Sequence, residues 1–285
     1  FFNGHYDCWC YLPLLAFVTF NDEVEQYLCA AILRPGNAPA TRGALGLLRR
    51  LLPRLRLAFP KARFLVRLDG GFATPEMFAF LEAESGLDYV GAMGENAVLT
   101  RLAEPTMVEA RARSEASGQT EHVYTEARYA AKTWPHERRV VIKAEMVRLP
   151  GRTPRDNPRF VITNLRQTPR VLYERIYCAR GDIENRIKEL HEGLQIGRTS
   201  CCRFWANQLR VLLTAAAYVL MQELRLRAAR TACARTQVTL LRERLFKLGV
   251  HVVRSVRRIV LHLPTSTPYL DAWRHIALTL GARPG

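Results

Sequence analysis

Apolar and polar positions in the first part of the chain predict a hairpin followed by a helix. Two continuous apolar runs, residues 11–20 and 26–33, flank a polar turn at 21–23, which is typical of two buried strands joined by a tight connection. From 41 to 59 the apolar residues recur at helical spacing with arginines between them. This pattern predicts an amphipathic basic helix, interrupted or kinked near Pro53.

The next segment continues the alternation of strands and helices. Residues 63–68 form an apolar run that ends at Asp69 and two glycines. Thr74 can cap a helix with proline at its first position, which we expect to run to about residue 85. A short apolar run at 88–91 then predicts another strand. Strands and helices with short connections predict an α/β fold with a mixed sheet.

The pattern changes between residues 95 and 170. After a mixed stretch that can be helical, three runs rich in β-branched and aromatic residues predict strands, and they lie at 121–129, 138–147 and 159–164. A turn-rich stretch at 150–158 separates the last two. We interpret 95–170 as a mainly β insertion.

The last part of the chain is predicted to be mostly helical. Helical spacing returns over 169–192, and a long helix with an apolar face is expected over 205–230. A basic strand is expected over 258–263.

No apolar run reaches the roughly 20 residues that a membrane-spanning helix needs. The seven cysteines show no zinc-site spacing, which favours free thiols and a cytoplasmic location.

Charge is distributed unevenly along the chain, which has a formal net charge of +16. Residues 201–285 hold 14 Lys or Arg and 3 acidic residues, whereas 71–130 hold 4 Arg and 10 acidic residues. A basic C-terminal third favours a nucleic-acid partner. The alternative is an ordinary solvated surface in a protein rich in arginine.

Two segments contain residues that are candidates for catalysis or ligand binding. Asp69 ends a strand at the sheet edge, where two following glycines allow a bulky ligand to approach closely. On a helix, five residues at spacings of three and four would line one face, namely Tyr177, Arg180, Glu184, Lys188 and His191. This stripe offers carboxylate oxygen for a hard metal ion and cationic groups for phosphate, although solvated surface is the commoner origin of such patterns.

Several of these segments resemble one protein family. YCARGDIENRIKEL at 177–190 is similar to the Tyr–x2–Arg–x3–Glu signature of bacterial insertion-sequence transposases of the DDE class. FFNGHYDCWCYLPL, AAILRPGN and VRLDGGFATPEMFAFLE resemble one subgroup of that class, as do LFKLGVHVVRSVRRIVLHL and PYLDAWRHI near the C-terminus. The similarity covers nearly the whole chain, and its motifs follow the family order.

The resemblance implies an RNase H-like fold, in which helices flank a mixed sheet and a mainly β insertion precedes the last catalytic helix. It divides the chain into four regions: an N-terminally incomplete core (1–94), the insertion (95–170), the C-terminal helices of the core (171–230) and a basic extension (231–285). It also implies a bacterial, cytoplasmic protein with no membrane segment that pairs DNA ends as a homodimer. The partner is double-stranded DNA, both the terminal inverted repeats and the target.

The family chemistry assigns roles to particular residues. Three acidic residues bind two Mg²⁺ ions, or Mn²⁺, which activate a nucleophile and stabilise displacement at a phosphodiester. By resemblance Asp69 is the second acidic residue and Glu184 the third, and both are metal ligands. Tyr177 and Arg180 are expected to hold DNA near the element end.

Further DNA contacts are expected from cationic residues. Lys188 and His191 follow Glu184 on the same predicted helix, and Arg257 and Arg258 lie in the basic extension. The family pattern has a lysine where this chain has His191, so Lys188, one turn earlier, is the alternative for that contact.

The first acidic residue is expected in an Asp-Pro-Thr-His-like segment before Phe1, and Asp7 matches no catalytic position. We therefore expect the printed chain to be an N-terminally truncated and inactive form of a transposase. The alternative is a non-catalytic DNA-binding remnant of such an element. A third interpretation, an RNase H-like nuclease acting on branched DNA, shares the acidic residues but does not explain the C-terminal motifs.

Overall fold

The computed structural model of the chain describes residues 1–21 and 23–282; Asp22, in the predicted turn, and the side chain of Arg180 lie outside the described part. The chain divides into two compact units. The split unit consists of Phe1–Asn37 and Asp182–Gly285, and the central unit is Ala38–Gly181. No helix in the described part is long and apolar enough to cross a membrane.

The split unit begins with two small antiparallel sheets. One joins β1 (Phe2–Asn3) to β2 (Cys8–Trp9), and the other is the predicted hairpin of β3 (Leu14–Val18) and β4 (Tyr27–Ile32). Gly36 is buried behind them, where an added Cβ would stand 2.3 Å from the carbonyl oxygen of Cys10. Only glycine therefore allows this close approach of backbones.

The central unit is built on a six-stranded mixed sheet. Its strands are β5 (Phe64–Leu68), β6 (Leu87–Met93), β7 (Glu121–Tyr129), β8 (Arg138–Val147), β9 (Arg155–Asp156) and β10 (Arg159–Thr163). The order is β5-β6-β10-β8-β7, with β9 paired to β8; β5 and β6 are parallel and the other neighbours are antiparallel. The strands of the predicted insertion thus share one sheet with β5 and β6.

The central unit also contains three longer helices, of which the second and third begin at a side-chain cap. They are α1 (Ala44–Ala58), α2 (Pro75–Ala83) and α3 (Ala97–Ser117). The Thr74 side chain accepts a hydrogen bond from the backbone of Met77, which confirms the predicted cap of α2. The mixed stretch after residue 95 is the 21-residue α3, capped by Asn96 at its start and by left-handed Gly118 at its end.

One of the two alternatives predicted for the first helix was wrong. Helix α1 runs through Pro53 without interruption, whereas a kink there stays a prediction. Its hydrophobic face remains continuous there, with Leu52 buried, so packing outweighs the lost backbone hydrogen bond. The predicted mixed α/β fold with flanking helices is confirmed, and it is consistent with an RNase H-like arrangement.

Residues 169–193 form the signature segment, which contains α4 (Pro169–Val171) and α5 (Gly181–Lys188). After this segment the split unit continues with α6 (Phe204–Arg227), α7 (Val238–Leu245), β11 (His251–Arg254), β12 (Ile259–His262) and α8 (Leu270–Thr279). Helix α6 lies against β4, where Gln208 accepts a hydrogen bond from the Leu33 backbone at 2.7 Å and donates to the Ala31 carbonyl at 3.3 Å. The core of this unit is centred on Tyr218 and Leu190, both fully buried.

Two C-terminal predictions need correction. The long helix ends at Arg227 rather than residue 230, since a chain reversal begins at Ala228, whose backbone closes the last turn. The predicted strand starts at Ile259, because Arg258 belongs to the turn that joins β11 to β12.

Candidate active site

Asp69 lies where β5 ends, and its side chain is exposed. One carboxylate oxygen accepts a hydrogen bond from the Gly70 backbone at 2.8 Å, so Asp69 caps the 3-10 turn Gly70–Phe72. Strand β5 lies at the edge of the sheet, parallel to β6. The sequence thus places this exposed carboxylate on a short, defined turn.

The two glycines after Asp69 differ in their surroundings. An added Cβ at Gly71 would stand 2.7 Å from the Cβ of Ala40, whereas one at Gly70 would meet only Ala92 at an ordinary 3.6 Å. Gly71 therefore allows the segment just before α1, which contains Ala40, to pack closely against the Asp69 turn. Gly70 makes no such close approach.

Substituting these glycines tests the packing of the turn. We expect Gly71→Ala to lower the free energy of unfolding by about 1–3 kcal/mol, because the methyl group overpacks against Ala40. The matched control Gly70→Ala should cost less than about 1 kcal/mol. Urea unfolding of both variants provides the measurement, and equal losses would contradict the packing argument.

The signature segment is helical but not one continuous α-helix. It passes through α4 (Pro169–Val171), a π-helical turn (Leu172–Tyr177), a 3-10 turn (Cys178–Arg180), α5 (Gly181–Lys188) and a second π-helical turn (Glu189–Gly193). The prediction of a helix over 169–192 is therefore right in extent and wrong in assuming uniform α geometry. Of the five candidate residues in this segment, Glu184 and Lys188 lie within one α-helix, α5, where their spacing of four residues places them on one face.

Tyr177 belongs to a chain of aromatic rings in the central unit. Its ring lies 5.5 Å from that of Tyr173, which in turn lies 5.8 Å from that of Tyr124. The Lys143 ammonium is placed 5.5 Å from the centre of the Tyr173 ring. Burial raises the pKa of Tyr173 to about 12, so its hydroxyl stays protonated at neutral pH. These rings hold Tyr177 half-buried, and the sequence pattern did not single them out.

Three candidate residues follow in the split unit: Glu184, Lys188 and His191. All three are exposed. Their helical segment is anchored by Leu190, which is fully buried in the core of the unit. The Arg180 side chain, the fourth candidate in this signature, lies outside the described residues.

A buried ionic cluster fixes the same helical segment and was missed by sequence reasoning. Glu189 is 5% exposed and accepts hydrogen bonds from Arg225 at 2.9 Å, Arg186 at 2.9 Å, Tyr218 at 3.1 Å and the backbone of Val238 at 3.3 Å. Burial raises the pKa of Tyr218 to about 12, and the negative charge of Glu189 adds to this effect. A carboxylate with four donors is well satisfied inside the protein. In the sequence, Glu189 is indistinguishable from a surface glutamate.

Arg257 and Arg258 lie at the turn of an exposed β-hairpin. Every residue of β11 and β12 is exposed, and the turn closes through the backbone of Ser255 and Arg258. No acidic residue occurs between Glu243 and Asp271. The hairpin is thus a positively charged ribbon, and β11 was not predicted.

To bind a divalent metal ion, the folded chain must place several oxygen ligands close to one another. Within the described residues, no three His, Cys, Asp or Glu side chains form a group that could hold a metal ion. Asp69 and Glu184 have the exposed carboxylates that hard divalent ions prefer. Their chemistry fits such an ion, but two residues do not complete the set of three that the resemblance implies.

The mixed sheet flanked by helices is consistent with an RNase H-like fold. The model of the family described as transposase DDE domain group 1 matches residues 1–283. The chain therefore belongs to the DDE transposase family. No curated protein matches it. The family implies binding of DNA, nuclease and transesterase chemistry in general, and the use of divalent metals.

Proposed function

We propose that this protein is an insertion-sequence transposase of bacterial origin that cleaves and joins DNA strands at the ends of its element. The family match over residues 1–283 is the observation that carries this proposal. The exposed Asp69 at a strand end and the exposed Glu184 on α5 support it, because the resemblance assigns both positions to acidic residues of the family.

In the proposed chemistry the carboxylates bind the metal ions, and the aromatic and cationic side chains bind the DNA. Asp69 and Glu184 would hold Mg²⁺ or Mn²⁺, and two such ions, when bound, supply Lewis-acid activation at the scissile phosphodiester. Tyr177 and Arg180 would bind the DNA near the element end. On α5, Lys188 lies one turn after Glu184 and can neutralise a nearby phosphate. We propose the same role for His191, because it stands where the family pattern has a lysine.

Asp69 and Glu184 are the two carboxylates that the resemblance assigns to this sequence. We expect the natural gene product to bind a duplex that carries an element end and to cleave it only when a divalent metal is present. Incubation of the protein with that duplex, with Mg²⁺ or with a chelator, tests this. Strand cleavage only when the metal is present supports the proposal, and no cleavage under either condition contradicts it.

A second candidate is a non-catalytic DNA-binding protein derived from such an element. The exposed basic hairpin favours this alternative, because it can bind phosphates without any carboxylate. The same cleavage assay separates the two candidates. We also propose assembly as a homodimer on terminal repeats and target DNA, in the bacterial cytoplasm.

Arg257 and Arg258 provide a test of the DNA-binding part of the proposal. We expect binding to weaken steeply with salt, since each neutralised phosphate contributes about 0.9 to the slope of log affinity against log salt. Arg257→Gln with Arg258→Gln should reduce that slope by about 2 and weaken binding to unrelated duplexes equally. Fluorescence anisotropy across a salt series is the measurement.

The matched control is Arg227→Gln, which removes one positive charge that already pairs with Glu223 on α6. It should leave the slope nearly unchanged. A wild-type affinity that does not respond to salt would contradict the argument from the basic hairpin.

A further inference from the structure

A cleft lined by arginines lies in the split unit, and none of its lining residues has been assigned a role above. Its volume is about 400 Å³. Three guanidinium groups face it, those of Arg198, Arg210 and Arg242, and Glu192 is the one acidic residue in its lining. The excess of positive charge in a concave surface favours an anionic ligand.

Two of the three arginines are held in place by neighbouring groups. Arg242 on α7 donates a hydrogen bond to the carbonyl of Gly193, and Arg210 on α6 donates to the hydroxyl of Ser200 at 3.1 Å. An added Cβ at Gly193 would stand 3.2 Å from the side chain of Val238 on α7, so glycine allows this tight approach. The walls of the cleft are therefore built by packing and do not depend on flexible side chains alone.

Arg198 differs from the other two. It is exposed, and its side chain makes no hydrogen bond or ion pair to any residue that the structure describes. The left-handed backbone of Gln195, with φ of 55°, reverses the chain just before it. Two backbone hydrogen bonds close this reversal, from Gln195 to His191 and from Ile196 to Leu190. The fold thus presents a guanidinium with unused donors to the cleft.

We propose that this cleft binds a backbone phosphate of the DNA, an inference that rests on the proposed function. Guanidinium groups bind phosphate oxygens through paired hydrogen bonds. The cleft is at the lower end of the range of ligand pockets, about 300–1,000 Å³, so a phosphate with its sugar fits. Its lining has one aliphatic side chain, Leu194, and no aromatic ring on which a base would stack. Recognition is therefore of the backbone rather than of a base.

The test uses the 285-residue chain and duplexes that each carry one neutral methylphosphonate. Arg198→Gln is compared with Arg235→Gln, which removes an equal charge from an exposed arginine of the same unit outside the cleft. We expect Arg198→Gln to weaken binding about tenfold, the usual effect of one charge-assisted contact. At one or two backbone positions the methylphosphonate should weaken wild-type binding and leave Arg198→Gln unaffected. Both variants should keep the melting temperature of the wild type.

Two results would overturn the proposal. In one, Arg198→Gln behaves like Arg235→Gln and no backbone position distinguishes the variant from the wild type. In the other, inorganic phosphate raises the melting temperature of the wild type and not that of Arg198→Gln, while neither binds DNA. That second result would make the cleft a site for a free phosphate compound. A failure of wild type and both variants alike to bind DNA, with no effect of phosphate, would refute the proposed function as well.

Discussion

Asp69→Asn and Glu184→Gln, each introduced into the natural gene product, are expected to abolish strand cleavage while DNA binding persists. Each substitution keeps the size of the side chain and removes the negative charge that a divalent ion requires. A metal ion contributes several kcal/mol of transition-state stabilisation, so we expect a loss of about a thousandfold or more. Both side chains are exposed, so the fold should tolerate the change.

The control for these variants is Glu115→Gln, which removes an exposed carboxylate of α3. Cleavage and binding are measured on the same labelled duplex. Loss of cleavage together with loss of binding in both carboxylate variants would show that these residues act on the structure and not on the chemistry.

Glu189→Gln is expected to produce the largest loss of stability in the split unit. The substitution removes the most deeply buried carboxylate from Arg225, 5% exposed, and from Arg186, and leaves both with Glu25 as an anionic neighbour. Breaking a buried ion pair from one side costs about 3–5 kcal/mol when the remaining charge is uncompensated. Because Glu25 still pairs with Arg225, we expect a loss at the lower end of this range, about 3 kcal/mol. Chemical denaturation followed by circular dichroism measures the effect.

Glu223→Gln is the matched control, because Glu223 and Arg227 form an exposed pair on α6. Surface pairs of this kind contribute about 0.3–0.5 kcal/mol. A Glu189→Gln variant that is as stable as the control would contradict the view that the ionic cluster anchors the signature segment. Because Leu190 and Glu189 are buried next to each other, loss of this anchor should also loosen the helix that presents Glu184.

The sequence predicted the elements whose patterns are strong. Strands β7 and β8 have the bounds that their β-branched and aromatic runs predicted, and Thr74 caps α2 as its position suggested. These features depend on local chemistry. The hairpin of β3 and β4 was also predicted, because two apolar runs stand on either side of one turn.

The features that the sequence did not predict depend on contacts between distant residues. Strand β11 is short and exposed on both faces, so it has no alternation of apolar and polar positions to reveal it. The π-helical turns on either side of α5 have no signature in the sequence. Helix α1 continues through Pro53 because of its packing, which the local signal of proline could not show.

The candidate site was predicted in part. Asp69 stood out because it ends an apolar strand and precedes two glycines, and Glu184 stood out through the family motif. Glu189 and the arginine cleft could not be predicted, since their meaning depends on which side chains meet in the folded chain. The roles of the site residues and the division at residues 94, 170 and 230 stay predictions.

Strand cleavage by the natural gene product on a duplex carrying an element end tests the central claim most directly. The account predicts Mg²⁺-dependent cleavage by the wild type, none by Asp69→Asn or Glu184→Gln, and similar DNA affinity for all three. Undiminished cleavage by either variant would contradict it.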